Sequence, residues 1–197
     1  MPIRKGHDMA NYTRKAILRT FQQMLAEKSF EKITVSALVV RCEISSNTFY
    51  YHFRDIYDLL DAWLESQKTA ILNDPNVDKS WDAVLRALMH RMQENPKIVY
   101  HLSNSISRER LEQYVFSSVE PQLYTFVCEQ AKGQNIPEET LQMMTTFYCN
   151  SLLGFILRFL WVDMKMDVDT SVGNLNRIFS GAMLAVVDPS IPEKRHS

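Results

Sequence analysis

Glycine and cysteine are scarce in this chain of 197 residues, and neither is placed for chemistry. The five glycines are scattered, so the sequence has no glycine-rich loop that could cradle a phosphate. The three cysteines form no CxxC pair, and no HExxH or other His/Cys cluster has the spacing of metal ligands. The serine, histidine and acidic residues show no pattern that indicates a catalytic triad. These absences argue against an enzyme, a metal site and a bound cofactor.

The sequence also lacks the apolar runs of a secretory signal or a membrane span. Its first twelve residues are polar. The most apolar run, 152–162, is shorter than the roughly 20 residues that cross a bilayer, and it contains Arg158. Cys42, Cys128 and Cys149 lie in apolar helical surroundings, which favours buried reduced thiols, with a redox sensor as the alternative. We therefore expect a cytoplasmic protein that does not enter the membrane.

Net charge is close to zero, at −1, but the charge is unevenly distributed along the chain. Residues 1–54 hold nine Lys or Arg and four acids, an excess of five positive charges. The remainder holds thirteen Lys or Arg and nineteen acids, an excess of six negative charges. A basic head on an acidic body is typical of a protein that presents one end to DNA.

Residues 34–53, TVSALVVRCEISSNTFYYHF, carry the clearest pattern in the chain. They predict two short helices, at about 35–42 and 46–53, joined by a tight turn and begun by Thr34 and Ser45 as N-caps. The outer face of the second helix carries hydroxyls, an amide and aromatic rings without an acid, which suits contact with phosphates and base edges. The pattern indicates a helix-turn-helix whose second helix is the recognition helix. The predicted inward side chains are Val35, Leu38, Val39, Ile44, Phe49 and Phe53.

The same stretch resembles the DNA-binding signature of the TetR/AcrR transcriptional regulators. In that family an apolar residue and a Ser open the recognition helix, a Thr and a Tyr follow, and His-Phe or Tyr-Phe closes it. The resemblance covers about residues 13–64 and implies an all-helical dimer on a near-palindromic operator in double-stranded DNA. Repression is the default in the family, while the segment YYHFRDIYDL is weakly similar to its dihydroxyacetone-kinase activator branch. The matching residues are Ile44-Ser45, Thr48, Tyr50 and His52-Phe53.

The N-terminal part of a recognition helix points into the groove, so Ser46, Asn47 and Thr48 are the predicted base contacts. Asn47 has the amide that pairs with adenine through two hydrogen bonds. Tyr50 and Tyr51 are predicted to contact phosphates through their hydroxyls, although packing against the first motif helix is the alternative for Tyr51 and His52. The resemblance places Thr34 close to a DNA phosphate. The complete predicted DNA-binding set is Thr34, Ser36, Ser45, Ser46, Asn47, Thr48, Tyr50, Tyr51, His52 and Arg54.

Three positions depart from the pattern of the family. Glu43 stands in the turn where the family often has Gly, at a cost on the order of 1 kcal/mol if its φ is positive. Its carboxylate would also lie near DNA. Asn47 stands where Gly is common, and Ile56 where a Lys is common, with Arg54 placed to supply the missing charge. We expect these departures to alter DNA affinity and operator choice more than the fold.

An amphipathic helix is predicted at 11–27, before the motif, with one apolar stripe. Residues 1–11 are predicted to be a flexible arm, either a solvated tail or a basic arm whose Arg4 and Lys5 follow the DNA. We predict three parts: a helix-turn-helix DNA-binding domain at 1–56, a helical effector-binding and dimerisation domain at 57–188, and a tail at 189–197. The stripe consists of Ile17, Phe21, Met24 and Leu25.

The remainder of the chain reads as helical throughout, so the predicted fold class is all-α. Pro121 falls inside one of these helices and is expected to kink or split it. The last two helices carry more apolar surface than one subunit needs, which predicts a homodimer through a four-helix bundle. A single large monomer core is the alternative. The predicted helices lie at about 57–72, 81–93, 97–104, 109–132, 138–165 and 170–187.

The body offers aromatic and polar side chains of the kind that line an apolar ligand pocket. We predict that a small-molecule effector binds there and moves the long helix that begins near Tyr57, through different affinities for two states of the protein. A helical regulator that acts through a protein partner, without an effector, is the alternative. Each candidate could also be plain core. The predicted effector-binding residues are Trp81, His90, Tyr100, His101, Tyr124, Phe147 and Tyr148.

Overall fold

The computed structural model describes the backbone of residues 3–187 and the side chains of residues 11–183. Within these residues the chain forms nine α-helices, a short 3-10 helix at Phe30–Lys32, and no strand, which confirms the predicted all-α fold. The helices are α1 Ile3–Glu27, α2 Val35–Cys42, α3 Ser46–His52, α4 Ile56–Leu72, α5 Trp81–Glu94, α6 Pro96–Ser103, α7 Arg108–Gln130, α8 Glu138–Trp161 and α9 Val168–Val187.

The first of two compact units contains the described residues up to Ala70 together with Glu94–Ser107. Its core is built on the predicted stripe of α1, all four residues of which are buried. Phe21 lies at the centre, edge-on to the rings of Phe30 and Trp63 at 6.1 and 6.2 Å. Edge-on pairs of this kind stabilise a core beyond the area they bury. The inward residues predicted for the motif pack into this same core.

Helix α6 belongs to this first unit although it follows α5 in the chain. Ile98 and Leu102 are buried among the side chains of the motif core. His101 donates a 2.6 Å hydrogen bond from Nδ1 to the Leu25 carbonyl at the end of α1. The packing units therefore differ from the predicted division into 1–56 and 57–188, because apolar contact rather than chain order decides which helices share a core.

The second unit, Ile71–Gln93 with the described residues from Arg108 onward, has its own core around α7 and α8. Three aromatic rings stack at its centre. The Phe179 ring lies 4.2 Å from Tyr148 and 5.0 Å from Trp81, and Tyr148 donates a 2.9 Å hydrogen bond to the Phe179 carbonyl. Burial raises the pKa of Tyr148 to about 12 and that of the Cys149 thiol to about 11. Both groups are therefore neutral at pH 7, and the protonated thiol makes Cys149 a poor redox sensor.

Two helix ends differ from the prediction. Helix α1 begins at Ile3, so the stretch predicted as a flexible arm is helical from there, because no proline interrupts it and the single Gly6 costs only about 1 kcal/mol. Helix α8 ends at Trp161 rather than near 165, because Asp163 and Met164 adopt left-handed backbone conformations with φ of 53° and 60°. The predicted tail, 189–197, lies outside the described residues.

Pro121 lies inside α7, which continues through it to Gln130, so the proline does not split the helix. Its side chain is exposed, and its own carbonyl accepts a 2.9 Å hydrogen bond from the Thr125 hydroxyl one turn later. Proline on the solvent face of a helix leaves the carbonyl one turn earlier accessible to water, which reduces the cost of the lost hydrogen bond.

Among the described residues, α8 has the length and composition of a helix that could cross a membrane. Its most apolar window of 18 residues is 39% buried within the protein. A single helix of this kind is weak evidence for a membrane segment, because a helix shared between a core and an apolar surface has the same composition.

Candidate nucleic-acid interface

Two capped helices form the helix-turn-helix. The Thr34 hydroxyl accepts a 3.2 Å hydrogen bond from the Ala37 backbone N–H and begins α2. The Ser45 hydroxyl accepts a 3.1 Å hydrogen bond from the Thr48 N–H and begins α3. The two hydroxyls of Ser45 and Thr48 also share a hydrogen bond of 2.8 Å. Both predicted caps are present, and each satisfies a backbone donor that would otherwise lack a partner at the start of its helix.

Helix α3 is held by one apolar face and presents its polar face outward. Phe49 is fully buried, and its ring lies 5.7 Å from the ring of Phe53 at the end of the helix. Tyr50 is 57% exposed and leans edge-on against Phe49 at 5.4 Å. The Tyr50 ring is therefore supported by the core while its side chain faces solvent. Of the ten predicted DNA-binding residues, these are exposed: Thr34, Ser36, Ser45, Ser46, Asn47, Tyr50, Tyr51 and Arg54.

Thr48 and His52 are the two half-buried members of the predicted set. Thr48 is engaged in the Ser45 cap described above. The ring of His52 lies 5.0 Å from that of Tyr51. Burial and the positive charge of Arg14 lower the pKa of His52. His52 is therefore neutral at pH 7 and carries a hydrogen-bonding group rather than a positive charge.

The positive charge of Arg54 is shared with the start of α4. Its backbone N–H donates a 2.9 Å hydrogen bond to Asp58, and its guanidinium lies 3.3 Å from the other carboxylate oxygen. The backbone hydrogen bond is the main reason that the pKa of Asp58 lies below its usual value. Because the Arg54 side chain is 86% exposed, this ion pair is weak and leaves the guanidinium accessible to a phosphate.

Sequence reasoning missed two arginines that shape this head. Arg41 on α2 forms a two-pronged ion pair with Glu27 on α1, at 2.5 and 2.7 Å, which fixes the two helices together. Arg14 on α1 lies over the ring of Phe53, 5.4 Å from its centre. Both lie off the apolar stripes, and no local pattern marks which acid or ring a surface arginine will meet.

The turn between the two helices contains Glu43, one of the three residues that depart from the family pattern. Glu43 has φ 55° and ψ 40°, the left-handed conformation that favours glycine, so it meets the condition for the cost considered from the sequence. Its N–H and that of Ile44 bond to carbonyls at the end of α2, at 3.2 and 3.1 Å. The turn is thus closed in the usual way for a helix end, but with a side chain that strains it.

Replacing Glu43 separates the effect of its charge from that of its backbone. Glu43→Gln removes a negative charge beside the recognition helix and is expected to strengthen binding to every DNA sequence severalfold. Glu43→Gly should do the same and also raise the free energy of unfolding by about 1 kcal/mol, because the left-handed strain is relieved. Urea unfolding and DNA titration of both variants measure the two effects. Equal stability of the Gln and Gly variants would contradict the strain.

The predicted effector-binding residues have different surroundings in the structure. Tyr148 is buried in the stacked core, and His101 holds α1 in the first unit. His90 lies 3.4 Å from Asp169, and Tyr124 donates a 2.8 Å hydrogen bond to Glu138, which raises the tyrosine pKa. The remaining three are dispersed: Tyr100 and Phe147 are exposed, whereas Trp81 is buried and lines a groove of the second unit.

A metal centre finds no support in the part of the chain that the structure describes, since no three His, Cys, Asp or Glu side chains are grouped to hold an ion. The prediction of no metal rests on the absence of a sequence motif.

Family models of known proteins match both the N-terminal and the C-terminal part of the chain. Residues 17–63 match the family model described as bacterial regulatory proteins, tetR family. Residues 79–181, more than half of the chain, match the model described as a transcriptional regulator C-terminal region. Together the two models cover the motif and most of the helical body.

One curated relative is the HTH-type dhaKLM operon transcriptional activator DhaS of Lactococcus lactis, 26% identical over 83 residues. That match spans 42% of this chain and 44% of the relative, less than half of either. The solved structure of a dihydroxyacetone kinase operon activator DhaS has the same fold, with a TM-score of 0.66 and 16% identity over 87% of this chain and 96% of that one. The structure of RolR with resorcinol has a TM-score of 0.56 and 18% identity over 93% of this chain and 91% of that one.

Proposed function

Since the chain belongs to the tetR family of bacterial regulatory proteins, we propose that this transcriptional regulator binds a near-palindromic operator as a homodimer and that a small molecule in its body controls the binding. Members of this family are DNA-binding transcription factors and not enzymes, and the same holds for this chain. The observation that carries the proposal is the exposed polar face of α3, supported from behind by a buried ring and begun by a hydroxyl cap.

The geometry of α3 supports a division of roles. Ser46 and Asn47 lie exposed in its first turn, the part of a recognition helix that reaches base edges. Tyr50 and Tyr51 lie one turn later, where their hydroxyls can reach phosphates. Thr34 and Ser36, at the start of α2, and Arg54, just after α3, complete an exposed rim of donors. Hydrogen-bond donors without acids suit contact with a negatively charged phosphate backbone. Glu43 is the exception, because its carboxylate carries a negative charge.

Homodimerisation is supported by an exposed stripe on α8. Met143 is 66% exposed, Phe147 59% and Trp161 81%, and they recur at the spacing of one helix face together with Gly154. On α9, Ile178 is 64% exposed. An exposed apolar stripe on α8, with a further exposed apolar side chain on α9, is typical of a surface that another subunit covers.

Effector control is supported by a relative of the same fold. The structure of RolR contains resorcinol, which shows that this fold can hold a small aromatic molecule. The aromatic body of the present chain offers the same kind of environment. We propose that a ligand in the body changes operator affinity by binding two conformations unequally.

Repression is the proposed sign of regulation, as the default of the family. Activation is the second candidate, because the curated relative from Lactococcus lactis is a transcriptional activator. The position of the operator distinguishes them: a site that overlaps the promoter supports repression, whereas one upstream of it supports activation. A cytoplasmic location is part of the proposal, because a regulator must reach chromosomal DNA.

Recovery of DNA by the purified protein tests the proposal. Sheared genomic DNA from the source organism is passed over the full-length protein at two salt concentrations. We expect one or a few palindromic sites, with affinity that falls steeply as salt rises because phosphate contacts release counterions. Recovery of sequence-independent DNA only, or of none, would overturn the proposal. The matched control is the Tyr50→Ala variant on the same DNA.

A further inference from the structure

A groove of about 470 Å³ opens on the second unit, between α7 and the segment that leads into α5. Its apolar part contains the rings of Trp81 and Phe126, whose centres are 5.9 Å apart at an interplanar angle of 66°. Its volume lies in the range of sites that hold small organic molecules. The remaining lining residues are Asp78, Lys79, Ser80, Pro121, Gln122, Thr125 and Glu129.

One side chain of this groove lacks a partner. Within the described part of the chain, two buried side-chain oxygens make no hydrogen bond, those of Ser118 and Gln122. Only Gln122 of these two lines the groove, and the atom concerned is its amide oxygen, an acceptor. A buried acceptor without a donor is costly in a folded protein, so the Gln122 amide gains a missing hydrogen bond by turning its oxygen toward a donor in the groove.

Two donors of the groove are engaged within the protein, and the Asp78 carboxylate accepts a 2.8 Å hydrogen bond from the Ser80 backbone N–H. The Thr125 hydroxyl donates to the Pro121 carbonyl at 2.9 Å, and the Lys79 ammonium donates to the Leu72 carbonyl. The exposed carboxylates of Asp78 and Glu129 stand at the edge, and a carboxylate can only accept. The groove therefore presents acceptors and excess negative charge above two aromatic rings.

From this arrangement we propose that the groove binds a small organic amine, protonated at neutral pH and carried on an apolar or aromatic group. The ammonium donates to the Gln122 oxygen and is attracted by Glu129 and by the faces of the rings. The apolar group covers Trp81 and Phe126. Only the role of the bound amine as effector rests on the proposed function. The binding site itself is inferred from the geometry of the groove.

Three probes of one shape and different charge test the site by titration calorimetry on the full-length protein without DNA. They are 2-phenylethylamine, 2-phenylethanol and 3-phenylpropionate. We expect the amine to bind with a dissociation constant on the order of 0.1–1 mM, as suits so few atoms. The alcohol should bind several times more weakly, and the carboxylate at least tenfold more weakly. Equal binding of all three, or binding of none, would overturn the site.

Two variants assign the contacts. Glu129→Gln should lower the affinity for the amine about three- to tenfold and leave the affinity for the alcohol unchanged, because only the amine carries charge. Gln122→Leu should weaken the binding of both the amine and the alcohol, because it removes the unpartnered oxygen to which they donate. Glu139→Gln removes an exposed acid outside the groove and is the matched control. Glu129 is exposed, so its variant tests the charge without disturbing the core. Loss of amine binding in the control to the same extent would contradict the assignment.

Operator affinity with and without 2-phenylethylamine then separates the two proposals. A change in operator affinity of at least threefold on addition of the amine, absent in the Gln122→Leu variant, supports the groove as the effector site. Amine binding with unchanged operator affinity would overturn the effector role and leave the DNA-binding proposal intact. Failure to recover an operator, with the amine still bound selectively, would overturn the proposed function and leave the site.

Discussion

Replacing Tyr50 with alanine is expected to weaken binding to every DNA sequence by roughly tenfold to a hundredfold. The loss corresponds to a hydrogen bond from a neutral donor to a charged phosphate, worth about 1.5–3 kcal/mol. The Tyr50 ring rests edge-on against the buried Phe49, and this packing restricts the orientation of the ring and therefore the direction of its hydroxyl. Tyr50→Phe keeps this packing and should lose nearly as much, because only the hydroxyl makes the contact.

The salt dependence distinguishes Tyr50 from a cationic contact. A neutral hydroxyl displaces no counterion, so Tyr50→Ala should lower affinity without changing the slope against salt concentration, whereas Arg54→Ala should reduce that slope by about one per subunit. Fluorescence anisotropy on the recovered operator and on a scrambled duplex measures both. Tyr100→Ala, an exposed tyrosine of the same unit outside the motif, is the control.

Asn47→Ala should behave differently on the same two duplexes. An amide that reads a base edge contributes to binding of the operator and not of the scrambled DNA, so the ratio of the two affinities should fall by an amount that corresponds to about 1–3 kcal/mol of binding free energy. Tyr50→Ala should leave this ratio unchanged. Equal losses for both variants on both duplexes would contradict the assigned roles.

Local features of the fold could be predicted from the sequence because local rules determine them. The caps at Thr34 and Ser45 follow from hydroxyls placed before apolar periodicity, and the Gly that is common in the family at position 43 marks this position as part of the turn. The α1 stripe follows from its spacing alone. Each of these features depends on residues within one or two helical turns of one another.

Features that depend on distant partners could not be predicted in this way. Nothing in the sequence near His101 indicates that its ring donates to Leu25, 76 positions earlier. The assignment of α6 to the motif core has the same origin. The effector candidates were chosen by residue type, and type alone cannot separate Tyr148, which stacks in the core, from Phe147 beside it, which faces solvent. Packing between elements decides such cases.

Gly154→Leu is expected to abolish the homodimer while leaving the subunit folded. Gly154 lies on the exposed stripe of α8, and a Cβ built there meets nothing within 4 Å in the single chain. Within one subunit the change should stabilise the helix by up to about 1 kcal/mol, because leucine is the better helix former. Across a close helix pair it inserts a side chain where no room remains, at about 1–3 kcal/mol per copy.

A two-fold axis doubles that penalty, since each subunit carries the substitution into the same interface. The dissociation constant of the dimer should therefore rise by roughly 30-fold to ten-thousandfold, and operator affinity should fall because one recognition helix alone reads only half a site. Sedimentation at micromolar concentration and thermal unfolding measure association and stability separately. Gln113→Leu, which adds the same side chain at an exposed position of α7, is the control. A Gly154→Leu protein that remains dimeric and becomes more stable would show that α8 does not form the interface, because its stripe would then tolerate a bulky residue that a packed bundle excludes.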